Sequence, residues 1–357
     1  MRRINTSELV PGMVTAEDIL NFNNQLILPK GLVLTDKTIT KLAFYSVLQV
    51  RIEDDPASPG DDTFFEPSYA EKIRRSPEFI QFKQEFEEDV DAFKDVMNDV
   101  IEKGTPLDVD KLMNHTLNIL EPSWTSPNVF DMLHGMREYD DATYVHCMNV
   151  ALICNVFARW LRLNEEEIRM ATISGLLHDV GKTKIPDNII KKPGKLTEIE
   201  YNIVKTHPQK GYRMLETSPL PKSVLNAVLM HHEKCDGSGY PFGLKGDKID
   251  PYAKMVAIAD IYDAMTSARI YRGPLCPFKA IGLFESEGLQ KYDARFILTF
   301  LENVVNSYLL NDVRLNNGVT GKIVFINKEH LASPTIKTSE GFLDLSEHPD
   351  LYIDDLI

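Results

Sequence analysis

The 357-residue chain carries 39 Lys and Arg against 53 Asp and Glu, and this net charge of −14 argues against general nucleic-acid or membrane-surface binding. Hydrophobic residues at 43% and charged residues at 26% fit a soluble globular protein of about two or three domains. The four cysteines show no CxxC spacing, no apolar run nears the roughly 20 residues that span a bilayer, and Met1-Arg2-Arg3 has no apolar segment behind it, so a reduced, cytoplasmic setting away from membranes is expected.

Residues 1–55 read as a small β-rich module. Pro11-Gly12 signals a turn, Leu26-Ile27-Leu28 a short strand entering a second turn at Pro29-Lys30-Gly31, and Val47 to Ile52 alternates with β period. Thr35-Asp36-Lys37 predicts the cap of a short helix running to about Tyr45. No catalytic pattern occurs here. An interaction or sensory role and a packing appendage fit equally well.

Residues 56–125 combine an acidic linker with a helical connection. The stretch 53–66 is acidic and rich in Pro, Gly and Ser. From Ser68 to about Leu120 the pattern is helical, with Phe79, Phe82, Phe86, Val90, Phe93 and Met97 at three- and four-residue steps. That stripe reads as a packing seam and a candidate homodimer surface.

Residues 126–308 read as almost wholly helical. Asp140-Asp141 opens a helix running to Trp160, and Asn164-Glu165-Glu166-Glu167 opens another that leads into His178-Asp179. Thr197-Glu198-Ile199-Glu200 is a capping box, and Pro208 and Gly211 should bend or interrupt its helix just beyond His207. Pro221 begins a helix ending in His231-His232, and Pro251 begins the one carrying Asp260 and Asp263. Residues 309–357 return to short strands around an Asn316-Asn317-Gly318 turn, a small β-rich module. The expected fold class is therefore mainly α: an all-α helical domain with small β-rich modules at the N- and C-termini.

The chemistry concentrates in the helical part. His231 and His232 end what reads as a helix over Leu225 to Glu233, where consecutive side chains point about 100° apart, so the pair does not easily serve one point in space. Five of the nine histidines, His146, His178, His207, His231 and His232, can be read as one site with Asp179 and Asp260. A lone His146 in an apolar run is more often a hydrogen-bonded core histidine, and an isolated His-Asp dipeptide means little. Together they point to metal. Mixed imidazole and carboxylate donors suit Fe, Mn, Ni, Co or Zn. Seven donors exceed the needs of one ion, and Asp179, next to His178, is placed to bridge two. Two ions about 3.5–4 Å apart would hold a bridging hydroxide and clamp a phosphoryl group.

From about 139 to 306 the chain resembles the HD-GYP domain, a branch of the HD phosphohydrolase superfamily. The resemblance rests on Tyr144-Val145-His146, Leu176-Leu177-His178-Asp179-Val180-Gly181-Lys182, Lys192-Pro193-Gly194-Lys195-Leu196-Thr197 and Thr206-His207-Pro208. It continues through the HHExxDGxGYP stretch from His231 to Pro241, Ala259-Asp260-Ile261-Tyr262-Asp263-Ala264-Met265-Thr266, and Arg269-Ile270-Tyr271-Arg272. It implies an all-α, metal-dependent phosphodiesterase that cleaves the bacterial second messenger cyclic di-GMP to pGpG and often GMP. Carried over, His146, His178, Asp179 and Asp260 would bind one ion, while Asp179 would bridge to a second held by His207, His231 and His232. The family's third ion uses a glutamate where this chain has Ala142, and the neighbouring Asp141 points about 100° away on a helix. Two divalent transition-metal ions are expected, iron or manganese before nickel or zinc, and a third is doubtful at Ala142.

Catalytic roles fall to Asp179 and Lys182. Substrate contacts are expected from Lys182 on a phosphate oxygen, from Arg269 and Arg272 on the second phosphate or a guanine edge, and from Tyr240. The lysines from Lys182 to Lys195 read as a local basic patch, and Asp263 as a residue orienting a histidine ligand. Two other readings remain open. One is a phosphodiesterase for another cyclic dinucleotide or phosphoester. The other is a weakly active domain that senses ligand or docks a signalling partner, against which the intact donor set argues.

Overall fold

The computed structural model describes residues 2–6, 9–20, 26–35, 38–39, 42, 47, 49–53, 69–109, 112–113, 126–136, 143–192, 194–267 and 275–357. The chain divides into two compact units, Met1–Glu66 with Tyr271–Gly273, and Pro67–Ile270 with Pro274–Ile357.

In the first unit, strands β1 (Arg2–Asn5), β2 (Ile19–Leu20), β3 (Leu26–Leu28) and β4 (Gln49–Ile52) form two antiparallel pairs, β1 with β4 and β2 with β3. β4 alternates exposed and buried residues, and its Val50 and Ile52 join Ile4, Leu28 and Leu34 in a small core. At the predicted cap, the Thr35 amide donates to Thr38 Oγ1 at 2.7 Å, and residues 38–39 and 42 are helical. The rest of that helix, and residues 54–66 of the linker, lie outside the described residues.

The second unit starts with α1 (Tyr69–Arg74) and the long α2 (Pro77–Lys103), capped by Ser76 Oγ accepting from the Phe79 amide at 3.1 Å. The phenylalanine stripe of α2 is buried inside this unit's own core, together with Val129 and Phe130 of α3 (Ser126–Met136). The stripe is thus the packing seam expected from the sequence, since an apolar stripe finds whichever partner lies nearest and here that is the same chain.

Helices α4 (Thr143–Trp160) and α5 (Glu165–Leu177) form the centre of the unit. α4 is buried nearly all round, as its uniformly apolar sequence requires. A capping box between Asn164 and Glu167 fixes the start of α5. After α5 a tight turn over Val180–Lys184 leads to α6 (Asp187–Ile190) and α7 (Glu198–Val204), the latter opened by the predicted Thr197–Glu200 box. Pro208 does not bend this helix. It lies in the first turn of a separate helix, α8 (His207–Leu215), where a missing N–H costs nothing. The helices α9 (Lys222–Met230), α10 (Pro251–Thr266), α11 (Pro277–Leu283) and α12 (Ala294–Ser307) follow.

The C-terminal strands β5 (Asp312–Leu315), β6 (Thr320–Phe325), β7 (Thr335–Thr338), β8 (Gly341–Asp344) and β9 (Ile353–Leu356) make one antiparallel sheet in the order β8-β7-β6-β5-β9. Val313, Leu315, Ile323, Ile336 and Ile353 belong to the same core as the helices. Lys279 of α11 pairs with Asp354 at 2.7 Å, and Glu285 accepts from the Leu331 and Ala332 amides at 2.7 and 3.1 Å. Among the described residues no helix is long and apolar enough to cross a membrane.

Candidate metal centre

Five elements converge on one buried point. α4 supplies His146, α10 supplies Asp260 and Asp263, and His178-Asp179 follow the last residue of α5. His207 is the first residue of α8, and His231-His232 follow Met230, the last of α9. Two glycines permit this convergence. A Cβ on Gly181 would lie 2.0 Å from the His207 carbonyl oxygen, so only glycine lets the turn after Asp179 press against α8. A Cβ on Gly239 would lie 2.4 Å from the Lys234 amide nitrogen, which holds the following loop against the chain just past the histidine pair.

The seven side chains named from sequence fall into two groups, His146, His178 and Asp260 in one, Asp179, His207, His231 and His232 in the other. Within each group the donor atoms lie within 4.8 Å of one another. Asp179 faces both. Its Oδ2 lies 3.5 Å from His146 Nε2 and 3.4 Å from His178 Nε2, while its Oδ1 lies 3.0 Å from His207 Nε2 and 3.7 Å from His231 Nε2. The histidine pair does serve one place, contrary to the helical argument. The two rings stand 4.2 Å apart between centroids at the C-terminal end of α9, although His231 itself keeps helical backbone angles.

The tautomers decide what this cluster can hold. His178 Nδ1 donates to the Gly175 carbonyl at 2.6 Å, His207 Nδ1 to Val204 at 2.8 Å, and His231 Nδ1 to Val228 at 2.9 Å, each to the residue three positions before it. A carbonyl only accepts, so each Nδ1 keeps its proton and each ring turns its Nε2 inward, where it offers a lone pair whenever that nitrogen is unprotonated. His178 Nε2 and both Asp179 oxygens are buried without a well-aligned hydrogen bond. His207 Nε2 and His231 Nε2 face each other at 3.1 Å, lone pair to lone pair. Such an arrangement repels itself unless a cation sits among the donors, so the residues present fit divalent metal ions.

Electrostatics agree with that reading at Asp179, Asp260, His207, His231 and His232, while His146 holds a second proton that an ion at its Nε2 would have to displace. Burial alone would raise Asp179 and Asp260, but Lys182 and His178 hold the first, and His146 the second, well below the usual carboxylate range. Both therefore present full negative charge. Burial lowers His207, His231 and His232, which keeps them neutral and able to donate a lone pair. Burial would lower His146 too, yet Asp260 and Asp263, one at each ring nitrogen, push it up to about 9. Asp263 Oδ2 accepts from His146 Nδ1 at 2.7 Å, where the sequence placed an orienting carboxylate. Its other oxygen accepts from Asn149 Nδ2 at 3.1 Å and Ser267 Oγ at 2.9 Å, two partners that spacing did not single out.

His232 marks the mouth, its side chain 23% exposed while the other six donors are at most 10%. Tyr240 stacks on it at 4.6 Å with an interplanar angle of 28°. Glu233, missed in the sequence, is buried and accepts from the Phe242 and Leu244 amides at 2.7 and 2.8 Å, which fixes the loop that carries Tyr240. Its place directly after the pair, ahead of a glycine-rich turn, was the available signal. The Lys182 ammonium meets Asp179 Oδ2 at the edge of the cluster. The wider basic patch is partly neutralised, because Lys191 pairs with Asp187 and Lys192 with Glu200, both at 2.7 Å. Arg269, Arg272 and Ala142 lie outside the described residues.

Residues 129–296 match the family model of the HD domain. A cyclic di-GMP phosphodiesterase of Pseudomonas aeruginosa is 37% identical over 212 residues, 59% of this chain and 51% of that protein. The cyclic di-GMP phosphodiesterase response regulator RpfG of Xanthomonas campestris is 39% identical over 44% of this chain and 42% of its own length. A 3′3′-cGAMP-specific phosphodiesterase of Vibrio cholerae is 38% identical over 41% of this chain and 34% of its own length. The matched region spans about half or less of the length of these curated relatives. Residues 129–296, just under half of the chain, are thus similar to the HD domain, and the curated relatives above that match this chain are phosphodiesterases of cyclic dinucleotides.

Proposed function

We propose that the protein is a metal-dependent phosphodiesterase that hydrolyses cyclic di-GMP to pGpG, GMP or both. The observation that carries this reading is the pair of adjacent donor groups, with Asp179 in one of them and its Oδ2 3.5 Å from His146 Nε2 and 3.4 Å from His178 Nε2 of the other. His146, His178 and Asp260 would hold one ion, and His207, His231 and His232 a second, each also taking one oxygen of Asp179. Iron or manganese suits the mixed set, with nickel and zinc as alternatives. With ions bound there, the site gains the Lewis acidity that acidifies a water and offsets charge growing on phosphate.

The protein's own groups prepare the rest. Carbonyls of Gly175, Val204 and Val228 lock the rings, and Asp263 does the same for His146. Lys182, partly exposed beside Asp179, is placed to exchange that contact for a non-bridging phosphate oxygen. Arg269 and Arg272 are assigned to the second phosphate or a guanine edge, and Tyr240 to the substrate side of His232. The division into residues 1–55, 56–125, 126–308 and 309–357, a cytoplasmic location, and a signalling or second-copy partner belong to the same proposal.

The name of the Vibrio relative favours one second reading, a mixed cyclic dinucleotide as preferred substrate. The deciding experiment is product analysis on cyclic di-GMP, 3′3′-cGAMP and cyclic di-AMP, with protein purified anaerobically and loaded with manganese or iron. Formation of pGpG or GMP as the fastest conversion supports the first reading. Faster turnover of the mixed dinucleotide selects the second, and no turnover of any at two ions per chain sinks both.

A further inference from the structure

One wall of the mouth is built from residues the metal cluster does not use. α7 has no buried residue and runs along the surface just before His207. Its Tyr201 is 48% exposed, and Lys205, directly after the helix, places its ammonium 4.7 Å from the Tyr201 ring centre and 5.9 Å from that of Tyr240. Tyr240 in turn stacks on His232. Lys205 has no ion pair with any carboxylate among the described residues, in a chain where acids outnumber bases 53 to 39. Holding an unpaired ammonium between two aromatic rings, at the rim of a cluster already containing two buried carboxylates, fits a group waiting for acceptor atoms from outside.

We propose that Tyr201 and Lys205 form a base subsite that selects guanine: Tyr201 stacks on one base of the substrate, and Lys205 donates to its O6 and N7. The chemistry follows from donor count. An ammonium has three donors and no acceptor. Guanine offers two acceptors on the edge it presents, whereas adenine offers one acceptor beside an amino donor that the ammonium repels. Stacking on the ring is indifferent to which purine it is. Tyr201 therefore supplies affinity, and Lys205 supplies discrimination. This subsite rests on the nucleotide substrate proposed above.

The test is calorimetric binding of GMP and of AMP to the metal-loaded full chain, with cyclic di-GMP turnover of the parent measured separately. The parent should prefer GMP. Lys205→Met should lower that preference about tenfold, Lys205→Arg should keep it, and Tyr201→Ala should weaken both nucleotides by about the same factor of ten. Metal content and melting temperature matching the parent establish that each variant is folded. An unchanged GMP-to-AMP ratio in Lys205→Met overturns the subsite, whether both nucleotides weaken equally, as for a phosphate contact, or neither does. A Lys205-dependent preference in a parent without turnover would leave the subsite standing and remove the phosphodiesterase reading. Turnover with an unchanged ratio would do the reverse, and a parent that binds neither nucleotide overturns the subsite.

Discussion

His207 Nε2 and His231 Nε2 stand 3.1 Å apart with the proton of each ring committed to a backbone carbonyl on its far side. Two lone pairs at that distance are tolerable only with positive charge between them, so stability and metal occupancy are linked. Chelation should lower the melting temperature, and manganese or iron should restore it. At a free ion concentration about a hundred times the dissociation constant, one site adds about 2.7 kcal/mol, on the order of 5–10 °C for a domain this size. Scanning calorimetry with and without metal reads this directly. A melting temperature indifferent to chelation would show that the cluster is satisfied without ions.

Asp263 reaches the proposed metal only through His146 Nδ1, and it is itself held by Asn149 and Ser267. Asp263→Asn keeps the shape and loses the charge that makes His146 a strong donor. Its metal affinity should fall about 10–100-fold, with the protein still folded. A metal titration followed by elemental analysis tests this, and undiminished affinity would refute the orienting role.

Glu233 spends both carboxylate oxygens on the amides of Phe242 and Leu244. In Glu233→Gln one of those amides faces an NH2 group instead of an oxygen. The loss should be about 1–3 kcal/mol, concentrated in the loop that carries Tyr240. KM should rise more than kcat falls. Hydrogen exchange over residues 233–244 would show faster opening than in the parent, and unchanged exchange would count against the role given to Glu233.

Asp89 lies on α2, and burial, then the charges of Glu85 and Glu88, raise its pKa to about 7. A carboxyl whose folded value exceeds its unfolded one binds its proton more tightly in the native state. Stability is therefore greatest below about pH 4 as far as this group is concerned, and it is lost as pH rises toward 7. Asp89→Asn should be more stable than the parent at pH 8 by about 1–2 kcal/mol, and equal to it near pH 4. Urea melts at the two pH values would decide it, the idea failing if the difference does not depend on pH.

Much of this protein was legible in its residues. Capping boxes at Asn164 and Thr197, prolines at the starts of α9 and α10, and β alternation in β4 are local signals, carried by neighbours within a turn or two. The clustering of the seven candidate donors was legible because imidazole and carboxylate together in an apolar helical setting have few other uses. Packing decided what local periodicity cannot reach. It divided the donors into two groups around Asp179, joining His146 to Asp263 across 117 positions. It brought His231 and His232 to one group of donors at the end of α9, and it buried the phenylalanine stripe of α2 inside the same chain. It also paired Lys191 and Lys192 while leaving Lys205 between two tyrosine rings. Sequence spacing sets direction within one element. Distance between elements depends on side-chain volumes and close approaches such as Gly181 against α8, and these exist only once the chain has folded.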